Sequence, residues 1–203
     1  MKPTLDIYFL LASPWTYLGW RRSFDIAQKY KVNTRLFPID FGTVFKATGG
    51  LPLAQRPPAR QAYRLVDLQR WKDHYSARDF NLHPAYFPTD HTKAALLAIA
   101  ARRQGENIAG FCYEVLRGLW CENKDITDQA FLKALIQKQP WNAGKLMEAV
   151  QDPAVAEEYA ADTQTAITLG VFGAPSYVIN GEVFWGQDRL DFVDQKLAGL
   201  AKI

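Results

Sequence analysis

Cysteine is almost missing from this chain. Two, Cys112 and Cys121, occur in 203 residues, which excludes a disulfide framework and points to a reducing, cytoplasmic setting. They stand nine positions apart in one apolar, helix-like stretch, so a helix sets them on opposite sides, as small buried core residues. No apolar run approaches the roughly 20 residues of a membrane span. No block of five or more like charges marks a nucleic-acid tail, and the net charge is only +3, enough for a weak pull on small anions. Histidine is scarce too. His74, His83 and His91 lack zinc-site spacing, so no metal centre is expected. All three read as surface or loop residues, with His83 and His91 bracketing a loop that can serve acid–base chemistry.

What is present is a clear order of elements. Met1-Lys2 followed by Ile7 to Ala12 faintly resembles a leader, but the run is short and Asp6 borders it, so it reads as a buried first strand over Asp6 to Leu11. Ser13 and Pro14 open a helix to about Tyr30, a favoured cap followed by a favoured first residue. Val32 to Phe37 alternates and ends at Pro38, a second strand. Strand signals then fade from Gly42 to Gly170. Leu51–Pro58 and His83–Asp90 read as loops. Helices are expected over Ala59–Tyr75, Thr92–Arg103, Glu106–Cys121 and Thr127–Gln139, with another opened by Asp152-Pro153 and closed at Gly170. Ser176–Ile179 and Glu182–Trp185 flank Asn180-Gly181, a strong hairpin turn. A last helix runs from Asp188 to Leu200. The order is βαβ, a helical block, then ββα. This predicts an α/β protein with a thioredoxin-like domain (1–42 and 170–203) and an inserted all-helical domain (43–169).

Three segments carry candidate chemistry. Ser13-Pro14-Trp15-Thr16 occupies the strand–turn–helix position where a thioredoxin redox pair would have cysteines. Ser13 can simply cap the helix. The same helix start offers free N–H groups and partial positive charge, which favour a thiolate. A serine hydroxyl can donate to a bound thiolate but cannot be oxidised with it, so the thiol must be borrowed. Gly173-Ala174-Pro175 sits where that fold places a cis proline, and the Ala174 backbone can pair with an extended peptide. In Trp185-Gly186-Gln187-Asp188, Gln187 can hold a carboxylate and Asp188 an ammonium; Asp188 can equally cap the last helix. The aromatics Trp15, Tyr17, Trp20, Trp71 and Tyr75 read as core and pocket wall.

Asp6-x-Tyr8-Phe9, Ser13 to Leu18, Val66 to Trp71, Phe87-Pro88, Gly170 to Pro175 and Trp185 to Leu190 together resemble the 2-hydroxychromene-2-carboxylate isomerase family. That family is similar to kappa-class glutathione transferases within the DsbA-like group. The resemblance runs nearly end to end. It implies glutathione as cofactor, with Ser13 catalytic at its sulfur and Ser13, Ala174, Pro175, Trp185, Gly186, Gln187 and Asp188 binding the tripeptide. By position it places Val44, Phe45, Gln55 and Asp90 at the substrate. Phe45 stands where a Lys can occur and Asp90 where the family tends to have Asn. Lys46, Arg56 and Arg60 are the nearby cations that can compensate for a carboxylate substrate.

The expected activity is isomerisation of 2-hydroxychromene-2-carboxylate or a related aromatic-catabolism intermediate by reversible thiolate addition. The alternatives are a kappa-like transferase that releases the conjugate, and a thioredoxin-fold binding module without catalysis. The implied partners are a small aromatic or electrophilic substrate and, by resemblance, a second copy in a homodimer. Nucleic acid and membrane are not expected.

Overall fold

The computed structural model describes residues 3–201; Met1, Lys2, Lys202 and Ile203 lie outside the described residues. Four strands form one sheet in the order β2-β1-β3-β4. Strand β1 (Thr4–Phe9) runs parallel to β2 (Asn33–Pro38) and antiparallel to β3 (Ser176–Ile179), which pairs antiparallel with β4 (Glu182–Trp185). Helix α1 (Pro14–Lys29) makes the crossover between β1 and β2, as a parallel pair requires. Strand β1 ends two residues before the expected Leu11, because the Ser13 N–H turns back to the Leu10 carbonyl at 3.0 Å.

Alternation along the strands sends side chains to two cores. Ile7, Phe9, Tyr177 and Ile179 join the larger cluster, while Tyr8 and Val178 join a smaller one with Ile39, Phe41, Val44, Ala166 and Val171. The larger cluster also takes in the helical block, so one apolar core runs from the sheet through both sequence regions.

The block holds α3 (Pro58–His74), α4 (Thr92–Arg103), α5 (Ala109–Trp120), α6 (Gln129–Gln137) and α8 (Pro153–Thr168), all expected within a few residues. Two helices escaped the sequence reading. Helix α2 (Phe41–Thr48) carries Gly and Thr in its first turn, poor helix formers. It stands because Asp40 accepts from the Gly42 N–H at 2.8 Å and the Thr43 hydroxyl at 2.6 Å, and Gly49 ends it with a positive φ. Helix α7 (Ala143–Ala149), capped by Asn142, is too short for a visible period. The loop over 51–58 contains a single 3₁₀ turn, Leu53–Gln55.

Two expectations are corrected. Asp188 does not cap the last helix. It lies in a 3₁₀ turn, Gln187–Arg189, and α9 (Leu190–Leu200) follows it, with no side-chain cap among the described residues. His91 is no surface residue: it is 8% exposed at the start of α4. Helices α4, α8 and β2 are tied by Arg102, which donates to the Leu36 carbonyl at 2.7 Å and to Glu158 and Asp162 at 2.6 and 2.5 Å. Among the described residues no helix is long and apolar enough to cross a membrane.

Candidate active site at the carboxyl end of β1

β1 ends where β3 begins, because Tyr8 pairs with Ser176 and Ser176 with Trp185. The register brings the start of α1, the Ala174-Pro175 segment and the end of β4 to one end of the sheet. Three segments far apart in sequence thereby converge.

Ser13 is buried. Its Oγ accepts from the Thr16 N–H at 3.2 Å, and its carbonyl accepts from the Tyr17 N–H at 3.2 Å. Pro14 has no N–H to offer. The Trp15 N–H therefore remains unpaired among the described residues, and the Ser13 hydroxyl proton has no acceptor there either. Thr16, at the second position where a redox pair would carry cysteine, is buried, with no partner for its Oγ1 among the described residues. This helix start presents two donors and a dipole to an incoming anion.

Opposite it, the Ala174-Pro175 bond is cis. Gly173 accepts from the Ser176 hydroxyl at 2.7 Å, and Pro175 accepts from the Gly186 N–H at 2.8 Å. Among the described residues, neither the N–H nor the carbonyl of Ala174 has a hydrogen-bond partner. Trp185 lies over Gly173, where a Cβ would run into the indole, and its half-exposed ring meets Phe172 edge-on at 4.7 Å. An open groove of about 660 Å³ runs beside Trp185, between β4 and α9.

Gln187 is buried, and its Oε1 accepts from the Tyr75 hydroxyl at 2.7 Å. Its Cβ rests on Gly19 of α1: a Cβ at Gly19 would lie 2.6 Å from it and 2.8 Å from the Tyr177 hydroxyl. Gln187 is thus pinned between α1 and α3, with its amide N–H groups lacking a protein acceptor among the described residues. Asp188 is exposed and paired with Arg189 at 2.7 Å. Asp67 on α3, within the Val66–Trp71 motif, lies near Asp188. Burial raises its carboxyl, Arg70 opposes this, and the nearby Asp188 charge raises it further. Two neighbouring carboxylates on different elements favour a cation between them.

The four expected substrate residues are less united. Val44 is fully enclosed in the smaller core, and Phe45 beside it is half-buried against Phe41. Gln55 is exposed in the 3₁₀ turn. Asp90 is exposed and accepts from the Thr92 N–H and hydroxyl at 2.9 and 2.6 Å, bonds that hold its carboxyl below the ordinary range. A cavity of about 360 Å³ between α3 and residues 82–88 is lined by none of the four.

Neither cysteine serves the site. Cys112 is enclosed and burial drives its thiol up; Cys121 is half-buried, raised by burial, and donates to the Tyr17 oxygen at 3.0 Å. Only Cys112 is the fully buried residue the sequence led us to expect of both.

A parallel–antiparallel sheet with a capped, cysteine-free turn at the end of its first strand and a cis proline opposite defines a thioredoxin-fold protein with a helical insertion. The model of the DSBA-like thioredoxin domain matches residues 4–198. The 2-hydroxychromene-2-carboxylate isomerase of Sphingobium xenophagum is 30% identical over 198 residues, covering 97% of this chain and 99% of that protein. Glutathione S-transferase kappa 1 of Homo sapiens is 23% identical, covering 94% and 88%. Among solved structures, a 2-hydroxychromene-2-carboxylate isomerase superposes with a TM-score of 0.77 at 27% identity, covering 98% and 96%. The cytosolic disulfide reductase DsbM of Pseudomonas aeruginosa shares the fold, with a TM-score of 0.63 at 16% identity over 96% and 98%. The chain belongs to the DsbA-like thioredoxin family and, within it, to the 2-hydroxychromene-2-carboxylate isomerase family. The named relatives at this similarity are enzymes, isomerases and glutathione transferases.

Proposed function

We propose that this chain is a glutathione-dependent isomerase of 2-hydroxychromene-2-carboxylate or a related intermediate of aromatic-ring breakdown. The observation that carries the reading is the first turn of α1, where Ser13 caps the helix with its oxygen while its hydroxyl proton has no acceptor among the described residues. In this reading Ser13 and the Trp15 N–H stabilise the glutathione thiolate. Ala174 pairs with the tripeptide backbone, Pro175, Trp185 and Gly186 wall it, and Gln187 and Asp188 hold its γ-glutamyl end. The sheet-bearing ends (1–42 and 170–203) carry the thiol, while the 43–169 block supplies the substrate side.

The hemiketal ring of the substrate opens first: its ring C–O bond breaks, the 2-hydroxyl proton passes to the departing phenol oxygen and a ketone forms. The thiolate then adds to the carbon conjugated with that ketone. A C–S bond forms and the π electrons move to the carbonyl oxygen. Rotation about the resulting single bond follows. The electron pair then returns, the C–S bond breaks and the thiolate is regenerated, so glutathione is not consumed. Two unpaired cysteines fit a cytoplasmic setting.

Titration of the protein with glutathione at neutral pH, followed through the ultraviolet band of the thiolate, tests this. The band is expected in the native protein and diminished in Ser13→Ala. Its absence from both would remove the reading in favour of a binding module. The kappa-class relatives support a second reading, conjugation with release of the product. Mass balance of glutathione over turnover separates the two: recycled for the isomerase, consumed for the transferase.

A further inference from the structure

The helical block contains a guanidinium without a counter-ion. Arg64 of α3 is half-buried and lines the 360 Å³ cavity, beside Leu53, Leu65, Leu82 and Phe87. Its guanidinium carbon lies 5.1 Å from the centre of the Phe87 ring and 6.0 Å from that of Trp120. Arg22, Arg35, Arg102, Arg103, Arg117 and Arg189 all pair with carboxylates. Among the described residues Arg64 has neither a salt bridge nor a hydrogen bond, and the charge that acts on it is Arg56, of like sign. Arg56 is itself turned to the Leu51 carbonyl at 2.9 Å. Burial and Arg56 together lower the Arg64 pKa to about 10, so the group stays charged at neutral pH while short of solvation.

A desolvated cation with no partner is unfavourable, and an anion in the cavity relieves it. Aromatic contacts engage the face of a guanidinium and leave its N–H edge for a forked pair with a carboxylate. Besides Arg64 the lining is mostly apolar, with Gln61 and His83 as its polar members, which suits a ring better than a second anion. A cavity of this size lies in the range that small ligands occupy. The sequence pointed to Lys46, Arg56 and Arg60 as carboxylate partners, yet none of these lines the cavity.

We infer that this cavity binds a small aromatic monocarboxylate, with Arg64 taking the carboxylate and Phe87 and the leucines enclosing the ring. The role as substrate anchor rests on the proposed isomerase reading; the binding itself does not require glutathione.

Calorimetric titration of the full chain without glutathione tests it, using 2-naphthoate and its neutral analogue 2-naphthamide as probes. Naphthoate is expected to bind the native protein, and Arg64→Gln to weaken it about 10- to 100-fold, the scale of a charged hydrogen-bonded pair. Naphthamide should bind both proteins alike, and Arg60→Gln should leave naphthoate binding unchanged. Equal naphthoate affinity in native and Arg64→Gln protein, or equal losses for both probes, overturns the inference, as does absence of naphthoate binding. Should Arg64→Gln fail to melt cooperatively, Arg64→Lys replaces it: keeping the charge but not the fork, it is expected to weaken naphthoate severalfold, and unchanged affinity refutes the assignment. A thiolate band without naphthoate binding defeats this inference alone, whereas naphthoate binding without a thiolate band defeats the thiol reading alone.

Discussion

At the residue scale, we propose two tasks for two parts of one Ser13 hydroxyl: the oxygen accepts from Thr16, and the proton, without an acceptor among the described residues, is left for a bound thiolate. The tasks separate by substitution. Ser13→Ala loses both, with about 1 kcal/mol of stability, whereas Ser13→Gly loses only a few tenths because glycine tolerates the cap position. Both variants are expected to raise the pKa of bound glutathione, read from the pH dependence of the thiolate band. If Ser13→Gly keeps the native thiol pKa, the hydroxyl is only a cap. His91 makes a different case. Burial lowers its pKa to about 4 from 6.5, against the opposing pull of Asp90 and Asp40, and its Nδ1 has no partner among the described residues. The unfolded chain takes up a proton between these values and the folded chain does not. The stability due to neutral His91 is therefore complete above pH 6.5 and declines by up to about 3 kcal/mol towards pH 4. Urea unfolding across that range should show the decline in native protein and a flatter curve in His91→Gln. Equal slopes would exclude His91 as its source.

At the element scale, the site depends on how closely α1 approaches the turn after β4. Gly19 makes that approach possible, since any Cβ there meets Gln187 and Tyr177. Gly19→Ala is expected to destabilise the protein by about 1–3 kcal/mol through overpacking and to weaken glutathione binding by displacing Gln187. Gly199→Ala, on α9 with open space around it, should be neutral or stabilising by about 0.5–1 kcal/mol. Chemical denaturation with calorimetric glutathione titration of both variants checks this, and unaltered glutathione affinity in Gly19→Ala would separate Gln187 from the tripeptide site. The same scale explains what sequence patterns missed. Helix α2 depends on Asp40 and Gly49 at its ends more than on the propensity of its interior, and α7 has seven residues, too few for an amphipathic period to be read. Asp188 resembled a cap because Asp before an apolar run is a good one. A 3₁₀ turn intervenes, and its carboxylate goes to Arg189.

At the scale of the whole molecule, a ligand that joins α1, the Ala174 segment and the Gln187 turn should stabilise all of them together. Reduced glutathione is expected to raise the melting temperature, by the equivalent of about 2.7 kcal/mol at a hundredfold excess over its dissociation constant. The rise should be smaller in Ser13→Ala. A melting temperature indifferent to glutathione would count against binding at this end of the sheet. The one core running from sheet to helical block gives such stabilisation a route across both regions.

Local chemistry by itself determined much of this protein. The capped start of α1, the Asn180-Gly181 hairpin, the βαβ opening and the absence of a redox cysteine pair are all readable because each depends on residues within a few positions of one another. Tertiary structure decided the rest. Strand register brought Ser13, Ala174 and Gln187 to one end of the sheet, and the approach of α3 set Asp67 near Asp188 and Tyr75 on Gln187. Burial withdrew Val44 and His91 from the surface and left Arg64 facing a cavity with no counter-ion among the described residues. Solvation, charge pairing and close approach depend on neighbours distant in sequence, so these properties exist only once the chain has folded.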